Sequence, residues 1–214
     1  MSIAINEINP IEVCEEARSL LDHYMLLYNG GWLRDGYEEL STLSDNFSND
    51  TFMEHWNAFI ENSEMANGAA VTPAYTLRHK EFEYTFAPYC IQVCGNGMWP
   101  NVTGGTPNQY NRRHPHMDND NLCLGQGKDG YICAIFDYRF EDARDIVQSV
   151  LSNYNHYGAY SSLVTWIQRM CTECGDAAKY FCFDCDSIIC RHCYRPQSWY
   201  RRCPVCDRDL NRLI

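Results

Sequence analysis

The stretch that most restricts what this chain can become runs from 171 to 206, CTECGDAAKYFCFDCDSIICRHCYRPQSWYRRCPVC, where eight of the thirteen cysteines stand in four Cys-x-x-Cys pairs. The intervals are Cys171-x2-Cys174, Cys182-x2-Cys185, Cys190-x2-Cys193 and Cys203-x2-Cys206. A two-residue gap lets the chain fold as a tight knuckle with both thiols toward one point, and its backbone amides soften the thiolate charge. Four thiolates complete a tetrahedral zinc site, so eight predict two zinc ions. Crowded cysteines mean disulfides in a small secreted protein and metal in a cytosolic one. The start, MSIAINEINP, has no basic-then-apolar layout, which predicts a cytoplasmic protein whose Asn-x-Ser/Thr triplets at Asn46, Asn49 and Asn101 go unused.

Which pairs share an ion is open from spacing. The five residues from Cys185 to Cys190 span roughly 16 to 18 Å when extended, enough to carry the chain between two ions, and DSII reads as a short strand. This favours interleaving: Cys171, Cys174, Cys190 and Cys193 on one ion, Cys182, Cys185, Cys203 and Cys206 on the other. Sequential pairing is the alternative, and His192 is a candidate to stand beside the ligands or to displace one.

The formal charge of −11 argues against nucleic acid, because a phosphate backbone rewards clustered Lys and Arg. From 168 onward 8 basic side chains face 6 acidic ones, so the acidity belongs to the first 167 residues. No apolar run approaches the roughly 20 residues of a membrane span.

Periodicity predicts a helix over 9–28, with Asn9 as cap, Pro10 in the first turn, Glu12 completing a capping box and Gly30-Gly31 ending it. A shorter helix is expected around Tyr37, Leu40 and Leu43, then a third opened by Asp50 or Thr51 with Phe52, Trp56 and Phe59 on one side. YTLRHKEFEYTF and YCIQVCG read as strands, Trp99 to Arg113 as a long loop, GYICAIFDY as a third strand, and FEDARDIVQSVLSNYNHYGAYSSLVTWIQR as two helical stretches parted near Tyr157 and Gly158. Cys14 and Cys133 sit in apolar company and read as core.

The loop leads into RRHPHMDNDNLCLG, residues 112–125. Here Cys123 has three readings: nucleophile, metal ligand or buried thiol. A metal site could draw on Cys90 and Cys94, which share a strand face, together with His114, His116 and Cys123.

Two resemblances bear on this. The cysteine pattern with IICRHC and WYRRCPVC resembles an all-cysteine RING finger, the class that recruits ubiquitin-conjugating enzymes. Thr172 and Glu173 stand where an apolar residue is usual, and Asp207 where an arginine often follows the last cysteine. Residues 70 to 169 resemble a ubiquitin-conjugating (UBC-like) domain: strands, a Pro-rich loop, His114-Pro115-His116, six residues, Cys123-Leu124, then helices. The implied fold class is α+β, a UBC-like antiparallel meander with flanking helices at 70–169, an N-terminal helical extension at 1–69, and a two-zinc cross-brace at 170–214.

The implied activity is that Cys123 carries ubiquitin or a ubiquitin-like modifier as a thioester and passes it to an amine of a protein substrate. A thiol is both a good nucleophile and a good leaving group for this. With no nucleotide-binding loop, a separate activating enzyme would supply adenylation. His116 replaces the family's Asn, credited with stabilising the oxyanion, while His114 and Pro115 would shape the loop. Asp118 and Asp120 either orient or deprotonate the incoming lysine or are solvated loop acids. The alternative class is a non-catalytic adaptor, expected if Cys123 is buried. Neither class implies nucleic acid or membrane as a partner.

Overall fold

Asn9 starts the first helix as its sequence suggests: its side-chain oxygen accepts from the Ile11 N–H at 3.2 Å, and α1 runs over Pro10–Asn29. The computed structural model describes residues 5–29, 46–108, 111–118, 121–168, 170–197 and 200–212. The helix expected around Tyr37, Leu40 and Leu43 lies outside these. Helix α2, Asn49–Glu61, starts slightly earlier than expected, because the Ser48 hydroxyl rather than Asp50 or Thr51 caps it, accepting from the Thr51 N–H. The chain is α+β and divides into two compact, discontinuous units.

The first unit comprises Met1–Thr72, Tyr89–Thr103 and Leu124–Ser149. Its core is aromatic: Trp56 and Phe52 of α2 meet Phe140 edge-on at 5.0 and 5.4 Å. Strands β1 (Ala69–Val71), β4 (Tyr89–Asn96) and β5 (Trp99–Gly104) form a sheet in the order β1-β4-β5, with β4 buried except at its last residue. Strand β5 replaces part of the expected long loop. Its Pro and Asn residues hid it, and Asn101 is tolerated inside because its side-chain amide donates to Gln92 Oε1 at 3.2 Å. The expected strand GYICAIFDY is instead helix α3, Lys128–Phe136, with Tyr131, Ile132, Ala134, Ile135 and Phe136 buried. Period cannot separate a buried strand from a buried helix in so short an apolar run. Helix α4, Phe140–Ser152, follows.

The second unit comprises Pro73–Pro88, Gly104–Cys123 and Val150–Ile214. What reads as one strand at 75–86 is a hairpin, β2 (Tyr75–His79) with β3 (Phe82–Phe86), in the register Leu77↔Tyr84. Its turn contains Lys80 at φ 52, without the Gly or Asn that would have announced it. Among the described residues the strands of 70–104 are thus shared between this hairpin and the sheet of the first unit. Short strands β6 (Met117–Asp118) and β7 (Asn121–Leu122) pair just before Cys123, and α5 (Val164–Ile167) follows the 154–161 segment.

The cysteine-rich segment holds a sheet in the order β12-β8-β9, made of Asn211–Arg212, Tyr180–Phe181 and Ile188–Ile189, and the ribbon β10 (Arg195–Gln197) with β11 (Tyr200–Arg202). Phe181 and Ile188 pack with Val164 of α5 and Phe82 of β3. The segment therefore shares its apolar core with α5 and the hairpin. On its other side Tyr180 and Ile189 pack with Cys171, Cys190, Tyr194 and Leu210.

Candidate functional site

The eight cysteines gather as two groups of four: Cys171, Cys174, Cys190 and Cys193; and Cys182, Cys185, Cys203 and Cys206. First and third pairs meet, as do second and fourth, which is the interleaved arrangement. All sulfurs within a group lie within 4.8 Å of one another. Cys174 and Cys190 are 3.6 Å apart, Cys182 and Cys206 3.5 Å, and Cys185 and Cys203 3.6 Å. Sulfurs about 2.3 Å from a shared centre in a tetrahedron stand about 3.8 Å apart. Both groups fit a four-thiolate metal ion.

Three of the knuckles share one backbone design. In each, the residue after the second cysteine returns its N–H to the first cysteine's carbonyl: Gly175 to Cys171 at 3.0 Å, Asp186 to Cys182 at 2.9 Å and Asp207 to Cys203 at 3.0 Å. Each of these residues is left-handed, at φ 79, 59 and 60, which suits Gly and is open to Asp. The fourth differs: the His192 N–H donates to the Cys190 sulfur at 3.3 Å, and the exposed His192 ring stands 3.7 Å from Asp176 beside the first group. Burial pushes the Cys171 thiol up, but hydrogen bonds with the backbone of Cys190, Glu173 and Cys174 outweigh it and bring the thiol down to about 7. Backbone dipoles thus favour the thiolate at Cys171, whereas burial raises the Cys182 thiol and pushes that of Cys203 up to about 11.

The left-handed Asp186 has a second duty. Its side chain, 3% exposed, takes Lys80 Nζ at 2.5 Å and His79 Nε2 at 3.1 Å on one oxygen, while the Ser162 hydroxyl donates to the other at 3.3 Å. The carboxylate holds the Lys80 ammonium above its ordinary range, chiefly through that hydrogen bond. His156 Nδ1 is 3.8 Å from Asp186; its ring stacks on His79 at 4.2 Å, and its Nε2 reaches the Phe183 carbonyl. The turn that follows Cys185 is thereby tied to the hairpin and to the 154–162 segment. Nothing local in the sequence marked these residues.

In the 112–125 segment, His114, Pro115, His116 and Met117 are buried and Cys123 is half-buried. The His116 carbonyl accepts from the Cys123 N–H at 2.9 Å, so the cysteine is held against the His-Pro-His run. His114, 0% exposed, gives its Nε2 hydrogen to the Leu151 carbonyl at 3.1 Å and accepts the His116 N–H on Nδ1 at 3.1 Å. His116, 7% exposed, reaches the Gly158 carbonyl with Nδ1 at 3.2 Å and accepts the Asn155 N–H on Nε2 at 3.1 Å. Each ring has spent its one hydrogen, so as folded neither has a donor to offer a reacting oxygen at Cys123. Asp118 pairs with Arg112, which also donates to the Met117 carbonyl at 3.2 Å. Asp120 lies outside the described residues. Cys14, Cys90 and Cys94 are buried in the first unit, and Cys133 is only half-buried.

Burial first, then the neighbouring His116, lowers the His114 pKa to about 3, against a smaller upward pull from the Leu151 carbonyl; burial also lowers that of His116. The unfolded chain therefore binds protons before the folded one as pH falls. The stability these rings contribute is complete above their unfolded pKa of about 6.5 and is lost progressively below it. Nitrogen-detected spectra should find the Nε2–H tautomer at His114 and Nδ1–H at His116, with His114 keeping its form until acid unfolding. Two rings titrating freely near pH 6.5 would contradict this placement.

No helix among the described residues is long and apolar enough to cross a membrane. Comparison with protein-family models, curated proteins and solved structures found no match.

Proposed function

We propose that this chain is a ubiquitin-type conjugation factor of the cytoplasm, in which 70–169 serves as a UBC-like domain carrying a modifier on Cys123 and 170–214 as a RING-like module closed by two zinc ions. The single observation that carries the reading is the seat of Cys123: half-buried, at the end of a two-strand hairpin, hydrogen-bonded by its backbone to a buried His-Pro-His run, and in one compact unit with the paired cysteine clusters. Zinc, with no redox chemistry and a preference for four thiolates, would cross-link the module through Cys171, Cys174, Cys190 and Cys193 and through Cys182, Cys185, Cys203 and Cys206.

In this reading the Cys123 thiolate attacks the modifier's C-terminal carbonyl, held as a thioester on an activating enzyme, and expels that enzyme's thiolate. A substrate amine then attacks the new thioester. An amide forms, the Cys123 thiolate leaves, and the ammonium proton passes to water. The second reading, a non-catalytic adaptor that only binds partners, is favoured by one observation: both rings of the His-Pro-His run are fully engaged with backbone.

Incubation with activating enzyme, ATP and the modifier should give an adduct that reductant or hydroxylamine removes. Cys123→Ser should turn it into a reductant-resistant ester or abolish it, while Cys14→Ser and Cys90→Ser keep it. If Cys123→Ala conjugates as the parent does, Cys123 is not the nucleophile; if the parent itself forms no adduct, the adaptor reading stands.

A further inference from the structure

At the Cys190–Cys193 knuckle the His192 N–H donates to the Cys190 sulfur at 3.3 Å. At the close of the first knuckle the Asp176 carbonyl accepts the Cys171 N–H at 2.7 Å. Both residues are thus anchored by their backbones to the first cysteine group, and the Asp176 carboxylate and the His192 ring stand 3.7 Å apart at its edge. With the Cys190 sulfur they make a second ligand set, whose three atoms lie within 4.8 Å of one another. Ligands about 2.0–2.3 Å from zinc stand roughly 3.3–3.8 Å apart in a tetrahedron, so small adjustments of two exposed side chains suffice to seat an ion. Both side chains are 64% exposed, whereas Cys190 is 1% exposed. Cys190 therefore belongs to two sets at once, the four thiolates and a rim open to water. Among the described residues the second group shares no sulfur with such a set, and the carboxylate that follows Cys185 is buried and taken by Lys80.

We infer that Asp176, Cys190 and His192 form a metal-transfer port, through which zinc enters and leaves the site of Cys171, Cys174, Cys190 and Cys193 by exchange with a chelating partner, while the second group keeps its ion. The inference rests on the two-zinc assignment and not on the acyl role of Cys123. In the outward step the ion keeps the Cys190 sulfur, leaves the other three thiolates, and takes the Asp176 carboxylate and the His192 ring nitrogen. The freed thiolates take protons from water, and no electron moves. Three protein ligands leave a fourth position for an incoming donor, as at catalytic zinc. Trading soft thiolates for oxygen and nitrogen weakens the grip, so the port passes the ion on rather than storing it. Arg191 Nε donates to His192 Nε2 at 3.1 Å, which leaves the ring hydrogen on Nδ1, the nitrogen near Asp176. An ion at Nδ1 sends that hydrogen to Nε2 by way of water and returns the exposed Arg191 head group to solvent. That cost favours the four-thiolate site at rest.

The test mixes the full-length, zinc-loaded chain with excess pyridylazoresorcinol, a chelator whose colour reports each ion taken. One equivalent should leave in a fast phase and one in a slow phase. Iodoacetamide present during the fast phase should alkylate Cys174 and Cys193 ahead of Cys185 and Cys206. Asp176→Asn and His192→Gln should each slow the fast phase roughly 10- to 100-fold, the scale on which groups around a metal act, and slow zinc reloading by the same factor. Equilibrium zinc affinity should stay parental in both, because a port changes the path and not the end states. Residues that merely stabilised the knuckle would do the reverse: their loss would weaken affinity and speed release, and that result overturns the inference. A parental fast-phase rate in either variant overturns it as well, as does alkylation that begins at Cys185 and Cys206, or release of both ions in a single phase. A native chain that holds fewer than two zinc ions overturns the two-zinc assignment and this inference together.

Discussion

Stripping metal from the native protein should unfold the second unit as a whole, not the cysteine-rich segment alone. The two cysteine clusters lie on a segment that shares one of its two core clusters with the rest of the unit: Phe181 and Ile188 are buried against Phe82 and Val164, which belong to the hairpin and to α5. From there the coupling continues through polar contacts, His156 to the Phe183 carbonyl and His116 to Asn155 and Gly158, as far as the Cys123 loop. Apparent binding free energies at structural zinc sites run to about 10–16 kcal/mol, comparable with or above the roughly 5–15 kcal/mol that holds a whole domain folded. Metal analysis should return two zinc equivalents per chain, and one or fewer would sink the two-ion assignment. After chelation, amide protection should disappear together from the hairpin, from 114–118 and from 180–189. Protection that survives at the hairpin and at 114–118 would mean the metal supports only its own knuckles.

Asp186→Ala should be the most damaging single substitution outside the cysteines. It removes a carboxylate, 3% exposed, that Lys80, His79 and Ser162 share, and loss of one partner from a buried ion pair typically costs about 3–5 kcal/mol. The half-exposed Lys80 can return to water, which places the cost at the lower end of that range, and alanine adds roughly 1 kcal/mol at a left-handed residue. Asp186→Asn keeps both the shape and the tolerance for positive φ, so it should cost only about 1–3 kcal/mol through weakened hydrogen bonds. Urea midpoints of the metal-loaded variants measure both. Equal losses for Asn and Ala would show that charge, rather than backbone conformation and hydrogen bonding, dominates at this turn, and no loss in either would remove Asp186 from the account.

What the sequence disclosed follows from the range of the forces involved. Cys-x-x-Cys spacing is a local constraint, so the eight clustered cysteines could be read directly, and the reach from Cys185 to Cys190 was enough to favour the interleaved grouping found here. The Asn9 cap and the apolar faces of α1 and α2 are likewise settled within a few residues. The misreadings arose where tertiary burial decides: α3 is buried on too many sides to betray its period, β5 buries Asn101 through a hydrogen bond to Gln92 of β4, and the β2–β3 turn rests on a lysine whose head group is held by Asp186. Asp186, His79, Lys80, His156 and Ser162 are brought together from distant parts of the chain. Reading along the sequence could not join them, and it proposed for His116 a hydrogen that the fold spends on Gly158.

The parallel stack of His79 on His156, 4.2 Å apart and 9° from coplanar, offers a spectroscopic window onto the cysteine clusters. Ring currents shift the proton resonances of each imidazole according to how squarely the other lies over it, and both rings reach Asp186, the residue that closes the Cys182–Cys185 turn. Loading or emptying of that cluster can therefore be followed from the two histidine signals, in a native protein whose thiols carry no label and undergo no chemical modification.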